Sequence, residues 1–75
     1  MKKNSYKMEI TYNNYLTVVS SIKFDQIGFG AATVLSMAKG YICENENILN
    51  IIVYDLDGSI FGAVNHEYRN EKKNK

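Results

Sequence analysis

One stretch of this chain, Phe24 to Gly40, carries apolar residues at helical spacing, and the stretches on either side of it read as pairs of strands. A single helix between two strand pairs leaves few folds open. Asp25 predicts the N-cap, because its carboxylate can accept from the first free backbone N–H groups, and Phe24 and Phe29 then stand at the N′ and N4 spacing of a hydrophobic staple. Lys39 suits the negative pole of the dipole and Gly40 the left-handed position after the last turn, so the helix is expected over Asp25 to Lys39. On a 3.6-residue period Ile27, Ala31, Val34, Leu35 and Ala38 share one stripe, which is expected to face a sheet. The other side is unusual. No charge occurs from Gln26 to Ala38, and Phe29, Ala32, Thr33 and Ser36 fall where a solvated helix carries Lys and Glu. Gly28 and Gly30 cost helix propensity, about 1 kcal/mol each against Ala. The functional expectation is that this second face packs on a partner or on a second copy.

Before the helix, Tyr6 to Tyr12 alternates without a fault: Tyr6, Met8, Ile10 and Tyr12 lie on one face, Lys7, Glu9 and Thr11 on the other. Asn13 and Asn14 mark a turn, and Tyr15 to Ile22 is a second strand. A two-residue loop would send Leu16, Val18 and Ile22 to the polar side. A three-residue loop, Asn13 to Tyr15, pairs Ile10 with Val18 and keeps one apolar face, and is preferred. After the helix and a polar connection, Ile48 to Tyr54 is the most apolar run and is expected to be a central strand covered on much of both faces. Asp57-Gly58 signals a type I′ turn, and Ser59 to His66 is the last strand. The expected class is α+β: ββαββ, one helix packed on a four-stranded antiparallel sheet. Residues 1–75 form one domain, with an ordered core over about 5–67 and a charged tail, frayed or briefly helical, over 68–75.

Seventy-five residues lie near the lower limit for a chain that folds without disulfides or metal, so dimerisation would help a thin core. Net charge is +1, with most of the excess lysine at the termini, so the balance points neither to nucleic acid nor to an acidic mimic of it. The lone cysteine, Cys43, excludes an intrachain disulfide framework and fits a reducing compartment. No apolar run of signal-peptide or membrane-spanning type is present, and a cytoplasmic protein is expected.

The most tempting catalytic pattern is Ile51-Ile52-Val53-Tyr54-Asp55-Leu56-Asp57-Gly58-Ser59. It resembles the first motif of haloacid-dehalogenase-type phosphatases, which implies Asp55 as nucleophile and Asp57 as general acid beside Mg²⁺. The residues after Ser59 are too few for the Ser or Thr, the Lys and the second acidic pair of that family, so the stretch is read as a hairpin. Asp55 and Asp57 also begin a calcium-loop pattern that lacks its later ligands. Gly28-Phe29-Gly30 lacks the third glycine of a dinucleotide turn. His66 and Cys43 have no partner in sequence. No catalytic, cofactor-binding or metal residue is therefore assigned, and a protein that is not an enzyme is expected.

Size, ββαββ order and the abundance of Lys, Asn and Ile resemble the small proteins with which phages and mobile elements disable host machinery, anti-CRISPR proteins among them. The resemblance rests on the order of elements: Tyr6–Tyr12, Tyr15–Ile22, Asp25–Lys39, Ile48–Tyr54 and Ser59–His66. It implies a stoichiometric inhibitor that binds and blocks a larger host protein or complex, including one that handles nucleic acid. Two other readings remain: a small nucleic-acid-binding protein using Lys7, Lys23, Arg69 and the terminal lysines Lys2, Lys3, Lys72, Lys73 and Lys75 around the six tyrosines, or a homo-oligomeric accessory protein. The residues assigned to partner contact are Phe29, Ala32, Thr33, Ser36, Tyr15, Lys7, Lys23 and Arg69.

Overall fold

The alternation of Tyr6–Tyr12 makes it the strand β1, and the hairpin that follows brings back β2, Thr17–Ile22. The helix α1 spans Ala31–Glu44, followed by β3, Ile48–Tyr54, β4, Ile60–Asn65, and a second helix α2, Glu67–Lys73. This computed structural model describes residues 5–73; the terminal lysines Lys2, Lys3 and Lys75 lie outside them. The sheet is antiparallel in the order β2-β1-β3-β4, so the two central strands come from opposite halves of the chain. The α+β class and the ββαββ core are as the sequence predicts, with α2 added after β4.

Both hairpins use the same three-residue loop. Tyr15 donates its N–H to the Tyr12 carbonyl at 2.8 Å, Tyr12 donates to Leu16 at 2.9 Å, and Ile10 pairs with Val18. Between β3 and β4, Gly58 donates to Asp55 at 3.0 Å and Asp55 to Ser59 at 2.8 Å. Gly58 has φ +90°, while Asp57 is not left-handed, so this loop is a three-residue turn ending in a left-handed residue and not the expected type I′ turn. In the first hairpin the left-handed position is held by Tyr15 at φ +69°. An L-residue with a Cβ is strained there.

The helix departs most from expectation. It begins six residues after Asp25, because Gly28 takes φ +101°, which no right-handed helix contains. Gly30 is the N-cap, and its N–H donates to the Thr33 hydroxyl at 3.2 Å. Phe24 and Phe29 do meet edge to face, with centroids 5.3 Å apart, but in a loop ahead of the helix. Ile27, expected on the buried stripe, is fully exposed at 102%. At the other end α1 runs through Gly40, because Ile42 continues the stripe of Ala31, Val34 and Ala38 and is itself wholly buried.

No basic residue stands in the last turn of α1. Arg69 of α2 supplies the charge instead. Its Nη1 donates to the carbonyls of Ile42 at 2.7 Å and Asn45 at 2.9 Å, and the guanidinium also reaches the carbonyls of Ile48 and Glu46. It thereby fastens the end of α1, the turn after it and the start of β3. Tyr68 packs against the core and lies under Lys39, whose Nζ is 5.6 Å from the ring centroid. Residues 68 and 69 therefore belong to the folded body and not to a tail.

Met8, Ile10, Val34, Ala38, Ile42, Ile48, Ile51, Val53 and Val64 form the core between the sheet and α1. The helix packs on β3 and β4 and over a shorter stretch on β1, with Leu35 against Gly62, where an added Cβ would come within 3.2 Å of its side chain. Coverage of β3 is one-sided: Ile51 and Val53 are buried beneath the helix, whereas Ile52 and Tyr54 on the other face are half-buried.

Two stability measurements test this account. Arg69→Ala loses about 1.5–3 kcal/mol in urea unfolding, the range for hydrogen bonds to a charged group, and Arg69→Lys recovers only part, since an ammonium cannot serve the same fork of carbonyls. Tyr15→Gly, which relieves the left-handed strain, raises stability by about 1 kcal/mol.

Candidate interaction surfaces

The sheet face away from α1 carries Lys7, Glu9 and Thr11 of β1 beside the outward residues of its neighbours, because paired residues point to one side. Glu9 lies opposite Ile52 in β3. The Tyr54 hydroxyl donates to Glu9 Oε1 at 2.6 Å. This bond, with partial burial and the Glu9 charge, pushes the Tyr54 ionisation above the ordinary value of 10.0. Around the pair, Ser5, Lys7, Val19, Asp55, Leu56 and Gly58 line a shallow depression of about 320 Å³, open to solvent.

Asp55 and Asp57 stand at the rim and brace the turn. Asp55 Oδ1 accepts from the Leu56 N–H at 2.7 Å, and Asp57 Oδ1 accepts from the Ser59 hydroxyl at 2.7 Å and its N–H at 3.0 Å. The Ser59 hydroxyl, then its N–H, holds the Asp57 carboxyl below its usual pKa. The pattern that resembles a phosphatase motif is thus built here as a tight hairpin between antiparallel strands.

On the helix layer the predicted contact residues separate. Phe29 is half-exposed, and Ala32 and Ser36 are exposed along the outer side of α1. Thr33 is half-buried and engaged in capping Gly30. Ile27 is exposed in the loop ahead of α1, which also carries Phe24, whose ring lies 5.9 Å from that of Tyr6 and 5.3 Å from that of Phe29. Sequence periodicity assigned Ile27 to the core; the signal against it was the pair of glycines at 28 and 30, which the helix reading absorbed as a cost.

Of the cations of the nucleic-acid reading, the three whose side chains are described divide between the two ends of the sheet. Lys7 stands opposite Tyr54 at one end of the sheet, and Lys23 follows Ile22 at that same end. Arg69 lies at the other end, near Ile48, with its donors on backbone carbonyls. The tyrosines are likewise dispersed. Tyr6, Tyr12 and Tyr68 pack against the core, Tyr54 is on the open face, Tyr41 is on α1, and Tyr15 projects from the hairpin tip at 81% exposure.

The surface that sequence reasoning missed is the β2 edge, one of the two outer edges of the sheet. In β2 the side chains of Val18 and Val19 point to opposite faces and both are exposed, and Leu16 precedes them at 63% exposure. The stretch Tyr15 to Ile22 contains no charge and no proline. Its composition was visible in the sequence, but its place at the edge depends on the order of strands. No protein-family model, curated protein or solved structure matches the chain.

The raised Tyr54 ionisation gives a pH test. Stability from the Glu9–Tyr54 bond is complete below the ordinary tyrosine pKa and is lost as pH rises through the raised one, so the expected loss begins above pH 10.0. In a site-resolved titration the Tyr54 hydroxyl ionises above pH 10.0, and Glu9→Ala lowers that transition.

Proposed function

We propose that the protein is a non-enzymatic binding protein that docks on a larger protein or complex through the surface headed by Ile27 and Phe29, and acts by obstructing it. The observation that supports this reading is Ile27, an aliphatic side chain fully in solvent on the loop ahead of α1 that also carries Phe24 and Phe29. Ile27 has the highest exposure of the described large hydrophobic residues, and an aliphatic side chain presented near an exposed aromatic one fits the pattern of an interface hot spot. Ala32 and Ser36, exposed and uncharged on α1, let a partner approach without stripping water from charges. The small size and ββαββ order keep the protein close in kind to phage and mobile-element inhibitors, anti-CRISPR proteins among them, working inside a host cell.

A photo-crosslinking residue at Phe29 tests this in lysate of a low-GC bacterium after nuclease treatment, with a residue at Asn70 as control. Ile27→Asp leaves folding within about 0.5 kcal/mol of wild type, because the side chain touches little. It weakens binding of the captured partner by about 2 kcal/mol or more, roughly thirtyfold. Equal binding by Ile27→Asp removes this surface from the function, and capture that disappears with nuclease moves the function to nucleic acid.

A further inference from the structure

Among the described residues the outer edge of β2 is unpaired, and its geometry is one that a second copy of the strand can complete. Tyr12 donates its N–H to the Leu16 carbonyl, so the hydrogen-bonded pairs of the first hairpin continue as Ile10 with Val18, Met8 with Ser20 and Tyr6 with Ile22. The residues between them, Thr17, Val19 and Ser21, therefore turn their N–H and C=O groups outward, away from β1. β2 is an outermost strand of the sheet, so no further strand meets these groups among the described residues. Protected edges carry lysine, proline or a bulge, or are covered by other chain. This edge has no charge, proline or bulge in its pairing, and α1 is displaced toward β3 and β4.

We propose that β2 pairs antiparallel with β2 of a second copy about a two-fold axis through Val19, joining two four-stranded sheets into one of eight strands. The three outward residues fix the register. Val19 meets the partner's Val19, and Thr17 and Ser21 meet the partner's Ser21 and Thr17, so every outward N–H and C=O of the strand finds its complement. The side chains agree with it. On the open face valine meets valine and threonine meets serine; on the helix side Val18 meets the partner's Ser20 and Leu16 the partner's Ile22. No pair sets like charges against each other, which a strand shaped for a charged partner would not achieve with itself. The axis is perpendicular to the sheet, so both α1 helices lie on the same side, each set back over its own β3 and β4. This surface is separate from the one headed by Ile27, and the two readings stand or fall independently.

Sedimentation and disulfide trapping test the pairing on the full chain. Wild type is expected to sediment as a dimer at tens of micromolar, with slow hydrogen exchange at the Thr17, Val19 and Ser21 amides that quickens on dilution. Val19→Pro removes an outward donor that the monomer does not use, so the fold is kept while the dimer dissociation constant rises on the order of tenfold or more. In a Cys43→Ser background Val19→Cys forms an intermolecular disulfide, because residues in a hydrogen-bonded pair stand about 5.5 Å apart, within disulfide reach. Ser20→Cys and Ser21→Cys, which face other residues, do so poorly. A wild-type monomer, a dimer indifferent to Val19→Pro, or equal trapping at positions 19, 20 and 21 overturns the proposal. So does protection of these amides that arises only with another protein bound, which would assign the edge to that protein's strand.

Discussion

A single helix cannot cover four strands, and most features of this surface follow from that mismatch. A helix with its side chains is roughly 10 Å across, whereas four strands about 4.8 Å apart span about 15 Å between their outer axes. α1 settles over β3 and β4, with Leu35 drawn down onto Gly62, and reaches only part of β1. The residues it buries on the sheet are correspondingly those of the inner strands and β4: Met8, Ile10, Ile48, Ile51, Val53 and Val64. β2 is held by its ladder to β1 more than by the core, and that is why Leu16, Val18 and Val19 remain in solvent.

The C-terminal end of α1 is fastened from the far end of the chain. The small residues Ala31 and Ala38 let the helix come close to the sheet, but they do not by themselves decide where it ends. Arg69 does, by binding the Ile42 and Asn45 carbonyls while also reaching Ile48 at the start of β3. One guanidinium satisfies groups of the helix terminus, the connecting turn and the next strand, a geometry that suits a planar fork of donors better than an ammonium. The charged C-terminal segment thus completes the helix layer, with Tyr68 filling in beside it.

The elements legible from sequence were those whose signal is local and repeated. The alternation of Tyr6–Tyr12 fixed a face, and the need to keep Leu16 and Val18 on it fixed the loop and the pairing of Ile10 with Val18. The helix was legible in type but not in extent. Asp25, Phe24, Lys39 and Gly40 formed a consistent set of end signals, yet Gly28 in a left-handed conformation excludes the first and the burial of Ile42 overrides the last. Each local preference is worth about 1 kcal/mol, less than the burial of one isoleucine side chain. The role of Arg69 was out of reach for a different reason: its carbonyl partners lie more than twenty residues away, and no periodicity announces a contact of that kind.

The same distinction separates the surfaces. A face of a helix can be read from spacing, and Ala32 and Ser36 are exposed on α1 as that spacing predicts, while Thr33 is half-buried and Phe29 lies in the loop ahead of the helix. An edge is a property of the whole sheet. The run Thr17 to Ile22 is uncharged and largely β-branched, and only the order β2-β1-β3-β4 shows that among the described residues it has one neighbour instead of two. A sequence that leaves such a strand outermost without lysine or proline stands open to edge-to-edge pairing. The choice of residues in β2 is therefore consistent with a strand whose second neighbour comes from outside the chain.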